Sequence, residues 1–449
     1  MSKQRIQLSD HFTYSRLLRF VLPCIGTMLF TSIYGIVDGL CVSNFVGKTA
    51  FAAVNLIMPL PMLLGTIGFM LGTGGSAIVG ITLGEGDQKK ADRYFTLFLL
   101  AALVSVSVLA VLGIVFLRPI AVLLGAKGEL LDYAVRYGRI LMLALPTFAL
   151  QNMFQSFFVT AEKPHLGFWF TVGAGCTNMV LDVLMVGIWG WGVEGAAIAT
   201  FISQLVGGVL PVFYFIDRSN SSRLHLCKTS FYSKVLRDAC INGSSELMTN
   251  LSMSLVNILY NYQLLRLAGE NGVAAYGVIM YAAFLFVAVF VGYAVGSAPI
   301  VSFHYGARNH AEVHNLYRKS LRLIAVVAVT LTLASMFIIP CVARIFVGYD
   351  AELLALTSRA FRLYALSFLI MGFNVYASSF FTALGDGVTS ALISFLRTLA
   401  FQVIAILLLP LLLGIDGIWL AVTAAELAAL AVSAAMLLTK DKVFHYRKV

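Results

Sequence analysis

The sequence predicts an all-α polytopic membrane protein with twelve transmembrane helices, and three observations carry that reading. Of 449 residues, 60% are hydrophobic and only 12% charged, whereas soluble domains carry about 25% charged residues. Windows such as 54–83 and 95–117 are almost purely apolar. A hydrocarbon core of roughly 30 Å takes about 20 helical residues to cross, so each such run reads as a span. The short alternating segments that mark a membrane β-barrel are missing from the sequence.

Taken in order, the apolar windows give spans at 17–44, 51–83, 95–117, 133–160, 166–188 and 195–216, then 239–265, 273–303, 321–347, 360–383, 388–412 and 418–438. Several are longer than a single perpendicular crossing needs, which predicts tilt or protrusion. The N-terminus lacks a small-residue cleavage site before a short apolar core, so no cleavable signal peptide is expected. The loops on the side of the N-terminus carry 21 Lys and Arg residues, against nine on the other side. Basic loops stay in the cytoplasm, so both termini are expected there, with a net charge of +10 explained by topology and not by nucleic acid. Six scattered cysteines form no C-x-x-C or Cys/His cluster, which predicts neither a zinc site nor a disulfide framework.

Sliding the chain along itself brings the two halves into one register without a gap. Gly84 falls on Gly306, Asn152 on Asn374 and Phe158 on Phe380, and "GVEGAAIA" from Gly192 meets "GIDGIWLA" from Gly414. Six spans per unit means both units enter the membrane the same way, the parallel-repeat plan of transporters. The expected organisation is an N-lobe at 1–216, a linker at 217–237 and a C-lobe at 238–449, as two pseudo-symmetric six-helix bundles.

Ionisable groups inside a membrane are costly and usually mark ion pathways or paired sites. Asp38 follows Arg19 at the same spacing as Asp182 follows Lys163, both on spans running away from the N-terminal side. Their depths therefore match. Tyr34 and Asn178 precede them by four positions, on the same helix faces, and Thr200 on the next span can reach that level. Such a cluster can hold a proton or offer hard oxygen ligands to a small cation. The plainer alternative is that Asp38 snorkels to the surface while Asp182 caps backbone. In the C-lobe, Glu246 and Arg397 both lie near the N-terminal side and are expected to meet as a buried ion pair, with mid-span Glu426 as a third member. That group could equally lock the lobe or serve transport.

Other patterns carry no chemistry. "GKT" at 47–49 lacks the earlier Gly of a phosphate loop, since Val42 stands there. "GTGGSAIVG" from Gly72 sits inside an apolar span, where small residues serve helix packing. No enzyme and no cofactor is expected.

The first span, "PCIGTMLFTSIYGIVDGLCVSNFVG", the second, "AAVNLIMPLPMLLGTIGFMLGTGGSAIVGITLGEGD", and "VGSAPIVSFHYGARN" from Val295 resemble the multidrug and toxic compound extrusion (MATE) transporters of bacteria. The resemblance covers nearly the whole chain. It implies two bundles around a central cavity, and an antiporter exporting cationic or amphipathic drugs against Na+ or H+. It further implies a multi-pass monomer in the bacterial inner membrane, with small molecules and the bilayer as partners. In the DinF-like branch, the cation site would be Asp38, Asn178, Asp182, Tyr34 and Thr200, with possible Na+ ligation by Asp38, Asp182 and Asn178. In the NorM-like branch a seventh-span acid matters, and Glu246 matches it; Arg397 and Glu426 are not implied. The rival readings are a lipid-linked oligosaccharide flippase of the same superfamily and a passive channel or receptor.

Overall fold

The computed structural model describes residues 6–46, 48–348 and 350–447, and the side chains of 39–44, 48 and 345 fall outside that description. Cys41 is therefore not placed against the expectation of scattered free thiols. The first half runs α1 (Tyr14–Phe45), α2 (Lys48–Ile57), α3 (Pro59–Gly84), α4 (Gln88–Leu123), α5 (Glu129–Thr160), α6 (Pro164–Asp182), a π-helical turn (Val183–Ile188), α7 (Gly192–Gly208) and α8 (Leu210–Ile216). After α9 (Ser233–Asn242) the second half runs α10 (Ser244–Gly306), α11 (His310–Val347), α12 (Ala351–Ala365), α13 (Phe368–Ala383), α14 (Gly387–Phe395), a second π-helical turn (Leu396–Ala400), α15 (Phe401–Leu413), α16 (Ile415–Thr439) and α17 (Asp441–Phe444).

Ten of these stretches are long and apolar enough to cross a membrane, and α12 with α13, bent by 46°, makes an eleventh. The twelfth is hidden inside α10. Gly269, with φ 60° and ψ −151°, breaks it into segments 244–268 and 270–306, as only glycine accepts that backbone readily. The protein is thus an all-α, twelve-span molecule of two six-helix bundles.

Helix starts follow local chemistry. Asp87 caps α4 by accepting from the Lys90 amide at 3.0 Å, and Asn309 caps α11 by accepting from the Glu312 amide at 3.2 Å. These two positions correspond in the same register that pairs Gly84 with Gly306, so the repeat extends to its caps. Hydroxyls inside the spans donate to the carbonyl one turn back, as Thr27 does to Pro23 at 2.9 Å, which satisfies polar groups where no water is available.

The bundles touch on the face that carries both chain ends. There a Cβ on Gly84 would lie 2.0 Å from the Phe303 carbonyl oxygen, and one on Gly306 would lie 2.0 Å from that of Ile81. The repeat-related glycines of α3 and α10 therefore let two backbones meet. Further along, Gly292 packs onto the backbone of Ile25 in α1. At Gly35 of α1 and Gly277 of α10 no such close approach occurs, since nothing lies within 4 Å of a Cβ there. The closest backbone contacts between the lobes are thus at the terminal face.

Candidate functional site

The N-lobe site is built where α1, α5 and α6 meet. Gly175 on α6 leaves room for Phe30 and Tyr34, whose rings would lie 2.5 and 3.1 Å from a Cβ at that position. That close approach brings the outer part of α1 against α6, and the Asp38 and Asp182 carboxyls come within electrostatic reach of each other. Tyr34 stands one turn before Asp38, within electrostatic reach of it. Asp182 is fully buried and Asn178 is 2% exposed.

The polar inventory of this site is incomplete. Among the described residues no donor reaches either oxygen of Asp182, and neither amide atom of Asn178 has a partner. Neither aspartate makes an ion pair among the described residues. Buried polar atoms are nearly always satisfied in native proteins, and a cluster of oxygens of this kind can hold a proton or a small hard cation. The π-helical turn that starts at Val183, directly after Asp182, fits that reading, since such turns concentrate at functional sites. Thr200 behaves differently from the other four. Its hydroxyl donates to the Ala196 carbonyl at 3.0 Å, which leaves it lone pairs alone to offer.

Sequence reasoning missed Tyr137. This α5 phenol lies within electrostatic reach of both Asp38 and Asp182 and is 1% exposed. Its flanks, Arg136 and Arg139, point to topology, although a tyrosine at that depth matches the level of the acid pair.

In the C-lobe the expected Glu246–Arg397 ion pair gives way to another. Arg397 donates to Glu426 at 3.3 Å, while Glu246 is only within electrostatic reach of the guanidinium. Depth explains the difference. Glu246 lies in the first turn of α10, whereas Arg397 lies beyond the end of α14, about 15 Å from the start of that helix at the usual helical rise. Glu426, 1% exposed, also accepts from Asn374 Nδ2 at 2.7 Å. Asn374 is marked in the sequence only as the repeat partner of Asn152, and nothing there assigns it to a site. Arg397 itself sits in the second π-helical turn, so the fifth span of each half carries such a turn beside its charged residue.

A family model described as MatE matches residues 23–184 and again 247–408. The chain belongs to the MatE family. The double match places one family unit in each half. Multidrug export protein MepA of Staphylococcus saprophyticus is 21% identical over 436 residues, covering 96% of this chain and 95% of its own length. MepA of Staphylococcus aureus is 22% identical over 433 residues, with 96% and 95% covered. Among solved structures, a MATE crystallised in complex with MaL6 superposes with a TM-score of 0.93 at 22% identity, over 99% of this chain and all of that one. An outward-facing multidrug resistance MATE family transporter of the MOP superfamily gives 0.92 at 23% identity, over 99% of each chain. Members of this family are transporters, not enzymes.

Proposed function

We propose that this MatE protein is a secondary active multidrug exporter that expels cationic or amphipathic organic compounds in exchange for a proton or a sodium ion. The observation that carries the reading is the Asp38–Asp182 pair, with Asn178 orphaned beside it and no basic partner among the described residues. Two like charges about 4 Å apart repel by about 4 kcal/mol at an effective dielectric of about 20. The pair is therefore at rest only when a proton or a cation neutralises it, and Asp182, Asn178 and Asp38 supply oxygens for either.

In this account the lobes, 1–216 and 238–449, rock about the 217–237 linker, with both termini in the cytoplasm of a bacterial inner membrane. The ion enters from outside, neutralises the pair and shifts α1, which is already weakened by Pro23 inside the helix. Substrate then leaves outward. Release of the ion inside restores the charge and, with it, affinity for a cationic compound, as reciprocity of coupling requires. Tyr34, Asn178, Tyr137 and Thr200 orient the pair. The MepA relatives, named as multidrug exporters, support the substrate class. Glu246, Arg397 and Glu426 are assigned to holding the C-lobe together.

The test is ethidium efflux from proteoliposomes under separately imposed sodium and pH gradients. The gradient that drives the wild type identifies the ion. Asp38→Asn should remove the dependence on it, and unchanged gradient-driven efflux in that variant would exclude Asp38 from coupling.

A further inference from the structure

The segment before α1 is packed as if it were an element of the core. Leu8 and Phe12 are fully buried, and the amides of both are held by carboxylates of opposite lobes. Leu8 N donates to Glu162 Oε1 at 2.9 Å, on the turn between α5 and α6. Phe12 N donates to Glu312 Oε1 at 2.9 Å, in the first turn of α11. His11 Nδ1 meets the other Glu312 oxygen at 2.6 Å. The Phe12 carbonyl accepts from Asn315 at 3.1 Å and from Lys319 at 2.6 Å. From the linker, Arg223 pairs with Glu162 and lies 4.8 Å over the Phe303 ring of α10. The segment thus crosses the seam where the lobes meet.

A second, independent observation bears on Glu162, which with Arg308 is one of two non-glycine residues in a left-handed position after a helix C-cap among the described residues. Four helices end at the terminal face in the same capping motif, with a left-handed residue after the C-cap: Gly86, Glu162, Arg308 and Gly385, at φ 87°, 61°, 55° and 82°. At Glu162 the pattern is complete, with its own amide on the Val159 carbonyl and the Lys163 amide on that of Phe158. Glycine is the residue this position favours, and a side chain there strains the backbone. Strain is kept where the side chain has a task, and the carboxylate of Glu162 holds both Leu8 and Arg223.

We propose that residues 6–13 form a latch that locks the two lobes together at the terminal face, with Glu162 and Glu312 as its two catches. The latch must release before the cavity can open to that side. This inference rests on the alternating-access reading above, but its consequence is conformational and needs no substrate to be seen.

Glu162→Gly separates the latch from a merely structural turn, because it relieves backbone strain and removes the catch together. Hydrogen–deuterium exchange of the full-length protein in nanodiscs is the measurement. In the variant, exchange in peptides covering 6–13 and 304–309 should rise about five- to thirtyfold, the factor that about 1–2 kcal/mol makes in an opening equilibrium, while 189–192 stays as in the wild type. Glu312→Gln should do the same from the other side. Unchanged or slower exchange at 304–309 in both variants would overturn the latch. Failure of gradient-driven efflux in the wild type would leave this readout intact and would count against the transport reading alone.

Discussion

In the N-lobe two acids face each other; in the C-lobe two acids share one arginine. The repeat shows how differently the halves use the same scaffold. The register that pairs Gly84 with Gly306 carries Asp38 to Tyr260 and Asp182 to Ile404, so the acid pair has no counterpart in the C-lobe. Conversely, Glu426 and Asn374 correspond to Gln204 and Asn152, and Arg397 corresponds to Gly175. One backbone position on the fifth span thus supplies a cation in one lobe. In the other it is a bare glycine against which Phe30 and Tyr34 pack, bringing α1 to α6. In the C-lobe the Glu426 carboxylate is met by Arg397 and Asn374, although Arg397 Nε and Asn374 Oδ1 have no partner among the described residues, whereas in the N-lobe neither acid has a basic partner among the described residues. On the proposed function, it is the acid pair without a basic partner, and not the paired C-lobe charges, that couples transport to an ion.

The largest expected effect follows from the arginine. Arg397→Ala leaves Glu426 buried and unpaired, which should cost about 3–5 kcal/mol, measured by thermal unfolding in detergent. The double variant Arg397→Met with Glu426→Met removes both charges and should recover most of that loss. If the single variant unfolds like the wild type, the C-lobe group is not the closed structural unit described here.

Next, the N-lobe should respond with the opposite sign. Asp182→Asn gives the site a donor facing Asp38 and should stabilise the sodium-free protein at alkaline pH by about 1–3 kcal/mol, the scale of satisfying a buried polar group. A lower melting temperature would mean that the pair is already satisfied within the protein.

The smallest effect distinguishes how the two fifth spans begin. In the N-lobe, α6 starts on Pro164 without a side-chain cap. In the C-lobe, Asp386 caps α14 through the Thr389 amide at 3.2 Å and meets Lys440 at 2.8 Å. Burial works against the Asp386 carboxylate, but Lys440 and Thr389 outweigh it and hold its pKa below the ordinary value. Its stabilisation is therefore complete above about pH 4, the ordinary value in an unfolded chain, and is lost as pH falls through the lower native one. Asp386→Ala should cost about 1 kcal/mol at neutral pH, and the gap to the wild type should narrow in acid. A gap that widens in acid would contradict the assignment.

Much of this was legible from residues. Composition alone specifies the class, and the equal spacing from Arg19 and from Lys163 puts Asp38 and Asp182 at one depth. Matching depth did not say which helices adjoin. That information lies in packing, and it is why Tyr137, reaching in from α5, went unseen. The same limit misassigned Arg397, whose partner was chosen by proximity to one surface, although Glu426 on a neighbouring span was the better match in depth. The latch was illegible for another reason. A polar-looking stretch, "QLSDHF" at 7–12, buries only two apolar side chains, and its worth lies in backbone amides caught by acids far away in the chain.

The comparison between lobes comes down to gradient-driven ethidium efflux in proteoliposomes, measured for Asp182→Asn beside the Arg397→Met, Glu426→Met double variant. Asp182→Asn should lose coupling by about 5–150-fold, the usual range for linked sites, while the double variant keeps its dependence on the driving ion. Retained coupling in Asp182→Asn together with lost coupling in the double variant would move the coupling site to the C-lobe and contradict the account.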